Sequence, residues 1–197
     1  SMAALDFKLE GQPANRLEVA KSVVSKFIDA RRSDRIGLVG FAGAPYLVSP
    51  LTLDHDWLQQ NLDRVQIGTV EDGTAIGAAL ATSVNRLREQ PSKSKIVVLL
   101  TDGQNNAGKV MPETAAQAAK ALGVKVYTIG VGTRGMAEMP VGRNPFTGEI
   151  VYRPQPVDID EDTLTKISDV TGGKYYRADN ADNFERIYDE IDKLEKT

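Results

Sequence analysis

The amino-acid sequence predicts an α/β protein with a doubly wound, mostly parallel, Rossmann-like sheet and helices on both faces. Three observations carry this expectation. Residues 95–100 (KIVVLL) form an apolar run of the kind found in parallel strands covered on both sides. Strand-like and helix-like segments alternate along the chain. The 197 residues, 41% hydrophobic and 26% charged, suffice for one domain with a full core, so residues 1–197 are read as a single domain.

Residues 15–30 (NRLEVAKSVVSKFIDA) place Leu17, Ala20, Val23, Val24, Phe27 and Ile28 at helical spacing, with Asn15 able to cap the start. Residues 34–41 (DRIGLVGF) then read as a strand, closed by the turn-prone residues 42–45, and residues 46–48 as its hairpin partner before Pro50. Asp54 caps a helix carrying Trp57, Leu58, Leu62 and Val65, and Thr74 opens another through Ile76, Ala79, Leu80 and Val84. The run at 95–100 supplies the central strand. An alanine-rich helix at 113–122 ends at Gly123 ahead of the strand Val124–Val131 (VKVYTIGV). A helix at 162–171 stops at Gly172-Gly173, and a strand at 174–177 and a helix at Ala181–Leu194 finish the chain. Between Thr133 and Asp158, Pro140, Pro145, Pro154 and Pro156 leave room for an insertion of loop, with a hairpin around residues 144–148.

A net charge of -3 and a pI near 5.3 supply no basic field for nucleic acid. With no cysteine, disulfides and thiolate chemistry are excluded. No run approaches the ~20 apolar residues of a membrane span, and no signal peptide is visible.

In doubly wound sheets ligands gather beyond the carboxyl ends of the strands. Thr101-Asp102-Gly103 follows KIVVLL directly, and the segment 72–77 (DGTAIG) can bring the Thr74 hydroxyl to the same edge. One carboxylate with a few hydroxyls makes a weak site for a hard cation such as magnesium. Two plainer readings stand beside this one: Asp102-Gly103 as a turn and Thr74 as a helix N-cap.

Other signals carry less. The glycines at 130, 132 and 135 have GxGxxG spacing, but prolines follow instead of a helix, so no dinucleotide site is expected. Asp102, Gln104, Asn106 and Glu113 fall near calcium-loop positions, but the required glycine is displaced and a strand precedes them. His55, the lone histidine, stands between Asp54 and Asp56 at a helix start, and no serine or cysteine nucleophile pairs with it, so no enzyme activity is expected. Lys93, Lys95 and Arg31-Arg32 read as solvated ends.

Ser1-Met2, a polar loop, Asn15-Arg16-Leu17, DRIGLVGF, DGTAIG and KIVVLLTDG together resemble the von Willebrand factor A (VWA) family over essentially the whole chain. That resemblance implies a metal-ion-dependent adhesion site (MIDAS), in which an Asp-x-Ser-x-Ser loop, a threonine and an aspartate hold a divalent ion. Ser1 matches the last serine of that loop, Thr74 the threonine and Asp102 the aspartate; the rest of the loop is not in the sequence. The implied ion is Mg2+, or Mn2+ or Ca2+, and the implied partner is a protein whose Asp or Glu carboxylate completes the coordination. The alternative is a metal-independent scaffold that assembles a membrane complex, with the 133–158 insertion as its contact.

Asp6-Phe7, Pro50-Leu51-Thr52, residues 127–130 (YTIG) and 171–178 (TGGKYYRA) are similar to bacterial membrane-anchored VWA proteins of the aerotolerance (Bat) type, associated with MoxR-type AAA+ ATPases. This implies a domain on the periplasmic side of the inner membrane, working with that ATPase and with other VWA proteins in complex assembly or stress tolerance.

The VWA fold places its first strand in mid-sheet, and no strand precedes Ser1. The resemblance therefore implies a sheet lacking its first central strand, closed by a donated or exchanged strand, by a dimer or by rearrangement. Ser1-Met2 is either native or a cloning remnant. In either case a free amino group, largely cationic at neutral pH, stands where the metal belongs, and weak or absent metal binding is expected.

Overall fold

The computed structural model describes residues 1–195. It opens with a hairpin where the sequence suggested only a polar loop: β1 (Phe7–Leu9) pairs antiparallel with β2 (Gln12–Ala14). Glu10 and Gly11 both take positive φ, 52° and 80°, the pair that a two-residue turn of matching twist requires. Phe7 and Ala14 anchor this hairpin in the core.

Helix α1 (Arg16–Ala30) starts at a capping box, Asn15 accepting from the Glu18 N–H and Glu18 accepting from the Asn15 N–H. An antiparallel ribbon follows, β3 (Ile36–Phe41) with β4 (Pro45–Thr52), the latter longer than the sequence suggested. Asp54 caps α2 (His55–Asp63) through the Trp57 N–H.

Helix α3 (Ile76–Arg88) has Ala75 at its N-cap position and no side-chain cap. Thr74 is therefore not the cap, which removes the plainer reading of that residue. Beyond α3 come β5 (Lys95–Thr101), α4 (Pro112–Ala121), β6 (Val124–Val131), the hairpin β7 (Met136–Arg143) with β8 (Ile150–Pro156), α5 (Glu161–Thr171), β9 (Tyr175–Ala178) and α6 (Ala181–Leu194). The 133–158 insertion is thus an antiparallel arm, with an irregularity between Pro140 and Gly142. It tolerates its prolines because a two-stranded ribbon leaves one edge of each strand unpaired.

Strands β5, β6 and β9 form a parallel sheet in that order. One apolar layer packs between its one face and α1 and α6, around Val19, Val23, Ile129, Phe184 and Ile191. A second fills the opposite side against α3, α4 and α5, around Leu80, Val97, Ala116, Val126 and Leu164. A third, small cluster of Ile28, Leu58 and Leu62 holds the β3–β4 ribbon.

The ribbon is not hydrogen-bonded to β5. Between β3 and β5 runs a cavity of about 1160 Å³. Every residue of the Ile36–Phe41 run is left at least partly exposed, although the run carries no polar side chain. The slot inferred at mid-sheet is present, and no other segment of the described residues closes it.

Candidate metal centre at the carboxyl edge of the sheet

Asp102 follows the last residue of β5 and is 6% exposed, so its carboxylate is placed by the strand and screened from water. Both oxygens are engaged. Oδ1 accepts from the Ser1 hydroxyl at 2.7 Å, and Oδ2 accepts from Arg16 Nη1 at 3.2 Å.

Thr74 reaches the same edge through a loop tied on both sides. The Thr74 N–H donates to Asn106 Oδ1 at 2.8 Å, the Asn106 N–H donates to the Thr74 carbonyl, and the Ala75 N–H donates to the Ala42 carbonyl. A Cβ at Gly103 would lie 2.9 Å from Thr74 Oγ1, so the hydroxyl is seated against the residue after Asp102. The structure thus brings Ser1, Thr74 and Asp102 to one edge.

Behind them lies a charge network in which the sequence assigned no roles. Arg16 is fully buried and binds Asp6 through Nε and Nη2, the shortest contact being 2.6 Å. Asp6 Oδ2 also accepts from the Thr133 N–H and hydroxyl. Burial pushes the Asp6 carboxyl up, but the bonds from Arg16 and Thr133 outweigh it and hold the group below its ordinary value. Burial likewise works against the Arg16 charge, and Asp6 and Asp102 overcome it, leaving the guanidinium more firmly protonated.

A signal for Arg16 was available. Arg16, Val19, Ala20 and Val23 are the buried residues of one face of α1, at the i, i+3, i+4, i+7 spacing of a core stripe. A charged residue on such a stripe needs an internal partner. Asp6 had no comparable local mark, because its partners come from α1 and from the root of the β7–β8 arm.

The donor set can be tested against a hard cation. Ligands at about 2.1 Å around magnesium stand roughly 3 Å apart, and the Ser1 hydroxyl and the Asp102 carboxylate have that order of separation. Asp102 is the sole carboxylate among the three, and no group of three or more His, Cys, Asp or Glu residues able to hold a metal occurs among the described residues. The chemistry fits a hard, water-retaining ion held by oxygen. Arg16 already supplies Asp102 with one positive partner. Asp6, Asp102 and Arg16 together leave one negative charge, which a divalent ion would invert.

The description "von Willebrand factor type A domain" matches residues 10–190. An uncharacterized protein of Borreliella burgdorferi is 30% identical over 195 residues, covering 99% of this chain and 55% of that protein, so the chain spans about half the length of the relative. Two crystal structures are similar. BatB from Bacteroides thetaiotaomicron has a TM-score of 0.81 at 28% identity, with 100% of this chain and 94% of that one covered. An aerotolerance-related membrane protein from Bacteroides fragilis has 0.78 at 27%, with 98% and 92% covered. No helix among the described residues is long and apolar enough to cross a membrane.

Proposed function

The chain belongs to the von Willebrand factor type A domain family, and from that premise we propose that it is a metal-dependent protein-binding module with no enzymatic activity. Its parent is a bacterial inner-membrane protein of the Bat type, with this domain on the periplasmic side and a MoxR-type AAA+ ATPase acting in the same system. The observation that carries the reading is the convergence of Asp102, the Ser1 hydroxyl and Thr74 at the carboxyl edge of β5. Asp102, Ser1 and Thr74 hold the ion, which when bound supplies a positive point that attracts an anionic ligand. The network behind them sets the charge: a divalent ion leaves the centre with one positive charge, and an Asp or Glu of the partner protein neutralises it. Arg16 fixes Asp102 from below by donating to its Oδ2.

Pull-down with the full-length parent, with and without chelator, in wild type and in Asp102→Ala, tests the reading. Partner capture that falls with chelator and with the substitution, while the fold is kept, supports it; capture indifferent to both refutes it.

A second reading has an observation of its own. The β7–β8 arm carries Phe146 at 97% exposure, with Met136, Val141 and Ile150 also exposed. A metal-independent scaffold would use this apolar arm, and Phe146→Ser would then abolish capture that Asp102→Ala leaves intact.

A further inference from the structure

The β7–β8 arm has one face that nothing among the described residues covers. Pro154 and Pro156 lack an N–H, so Glu138↔Pro154 and Met136↔Pro156 are non-hydrogen-bonded pairs of the ladder, and Pro140↔Tyr152 keeps the same alternation. The side chains of those pairs share a face. Val141 is the extra residue of a bulge on β7 while β8 runs on unbroken, so Ile150 and its partner Arg143 return to that face. It carries Met136, Pro140, Ile150, Tyr152, Pro154 and Pro156, none of them buried, and its only charges are Glu138 near the root and Arg143 near the tip. Ala137, on the opposite face, is buried, so that side of the arm rests on the body.

The edges of the arm are closed to a further strand. On β8 the backbone positions that turn outward are 152, 154 and 156, and two of the three are prolines. On β7 the outward carbonyl of Glu138 already accepts from the Leu5 N–H at 3.0 Å, and Pro140 offers no donor. A partner therefore docks on side chains and does not extend the ribbon.

Glu138 and Arg143 select the partner. Neither enters a salt bridge among the described residues. Arg143 Nη1 donates to the Gly148 carbonyl at 3.0 Å, which leaves its other N–H groups for an acid. The two charges flank the Pro140↔Tyr152 pair on either side. Stacking two such faces antiparallel, about a two-fold axis through that pair, lays β7 over β7 and brings each Glu138 to Arg143 of the other copy. The solvated Phe146 ring then reaches the Met136 end of the other arm. A parallel stacking makes neither ion pair.

We propose that this face is a contact between two copies of the chain, an isologous dimer of arms sealed by two Glu138–Arg143 pairs. Two faces of this length and width bury on the order of 1,000 Å² in total, the lower limit for a specific interface, so the association is weak and reversible. The inference uses no residue of the metal centre and holds whether or not the carboxyl edge binds an ion.

The test is sedimentation velocity on this chain from micromolar to millimolar concentration, in wild type, Glu138→Arg, Arg143→Glu and the double reversal. Both side chains are exposed, so the fold is kept, as far-UV circular dichroism checks. Wild type is expected to pass from monomer to dimer across that range. Each single reversal sets like charges together at both ends of the contact and should raise the dimer dissociation constant at least about tenfold. The double reversal restores both pairs with their signs exchanged and should return the constant to within about threefold of wild type.

Three outcomes overturn the proposal. Wild type stays monomeric at millimolar concentration; the dimer is indifferent to both single reversals, which places its contact elsewhere; or the double reversal is as weak as the singles, which excludes the antiparallel alignment.

Discussion

Arg16, sealed from solvent, donates to Asp102 Oδ2 across 3.2 Å and so joins the first turn of α1 to the residue just past β5, which lies at the edge of the parallel sheet and not at its centre as the sequence suggested. The same guanidinium holds Asp6, so one side chain bridges two carboxylates and leaves the trio with one negative charge. Replacing Arg16 with Leu strands both acids, and a broken buried pair of this kind costs about 3–5 kcal/mol. Urea unfolding of Arg16→Leu should show a loss of that size, and Arg16→Lys, which cannot fork, an intermediate one.

Asp6 links stability to pH. Its folded pKa is depressed, so its contribution is present above the unfolded carboxyl value of about 3.9 and is lost as pH falls through the lower folded value. Asp6→Asn removes that linkage. The variant should be less stable than wild type at pH 7, and the gap should shrink as pH drops below about 4, as read from urea midpoints. A gap unchanged down to pH 2 would contradict the assignment.

Magnesium titration of this chain should give binding weaker than micromolar, because a single carboxylate, already bonded to Arg16, carries the site. Calorimetry showing micromolar affinity would refute this. Asp102→Asn, which keeps the shape and removes the charge, should abolish the residual heat.

Gly103→Ala tests the seat of Thr74. The added methyl would meet Thr74 Oγ1 at 2.9 Å, so the hydroxyl must move. Metal affinity should fall severalfold while the far-UV circular dichroism stays that of the wild type.

Phe146 supplies the control. Its side chain is almost wholly solvated at the tip of the arm, so Phe146→Ser should change stability by less than about 0.5 kcal/mol. Any loss of partner capture in that variant then belongs to the surface and not to unfolding.

Much of this was legible in the sequence, and what was missed has a physical cause. Helices α1 and α6 and strands β5 and β6 announce themselves through periodicity or unbroken apolar runs, which are local properties. The β1–β2 hairpin was invisible because three-residue strands carry no period and its turn depends on Glu10 accepting a positive φ. The β7–β8 arm was foreseen only at its turn, since the prolines that mark a loop also fit a ribbon with free edges. At the site, Thr74 and Asp102 could be read from their position after a strand, whereas the Asp6–Arg16–Thr133 network spans 127 positions and exists only once the chain is folded.

The division of the apolar interior bears on cooperativity. Two of its clusters grip the three-stranded sheet, while the β3–β4 ribbon is held by the small cluster of Ile28, Leu58 and Leu62 and by Phe41 against the second cluster, with no ladder to the sheet. Segments so weakly joined melt apart from their neighbours. Calorimetry on this chain should therefore return a van't Hoff enthalpy smaller than the heat absorbed, and its melting temperature describes the larger body alone.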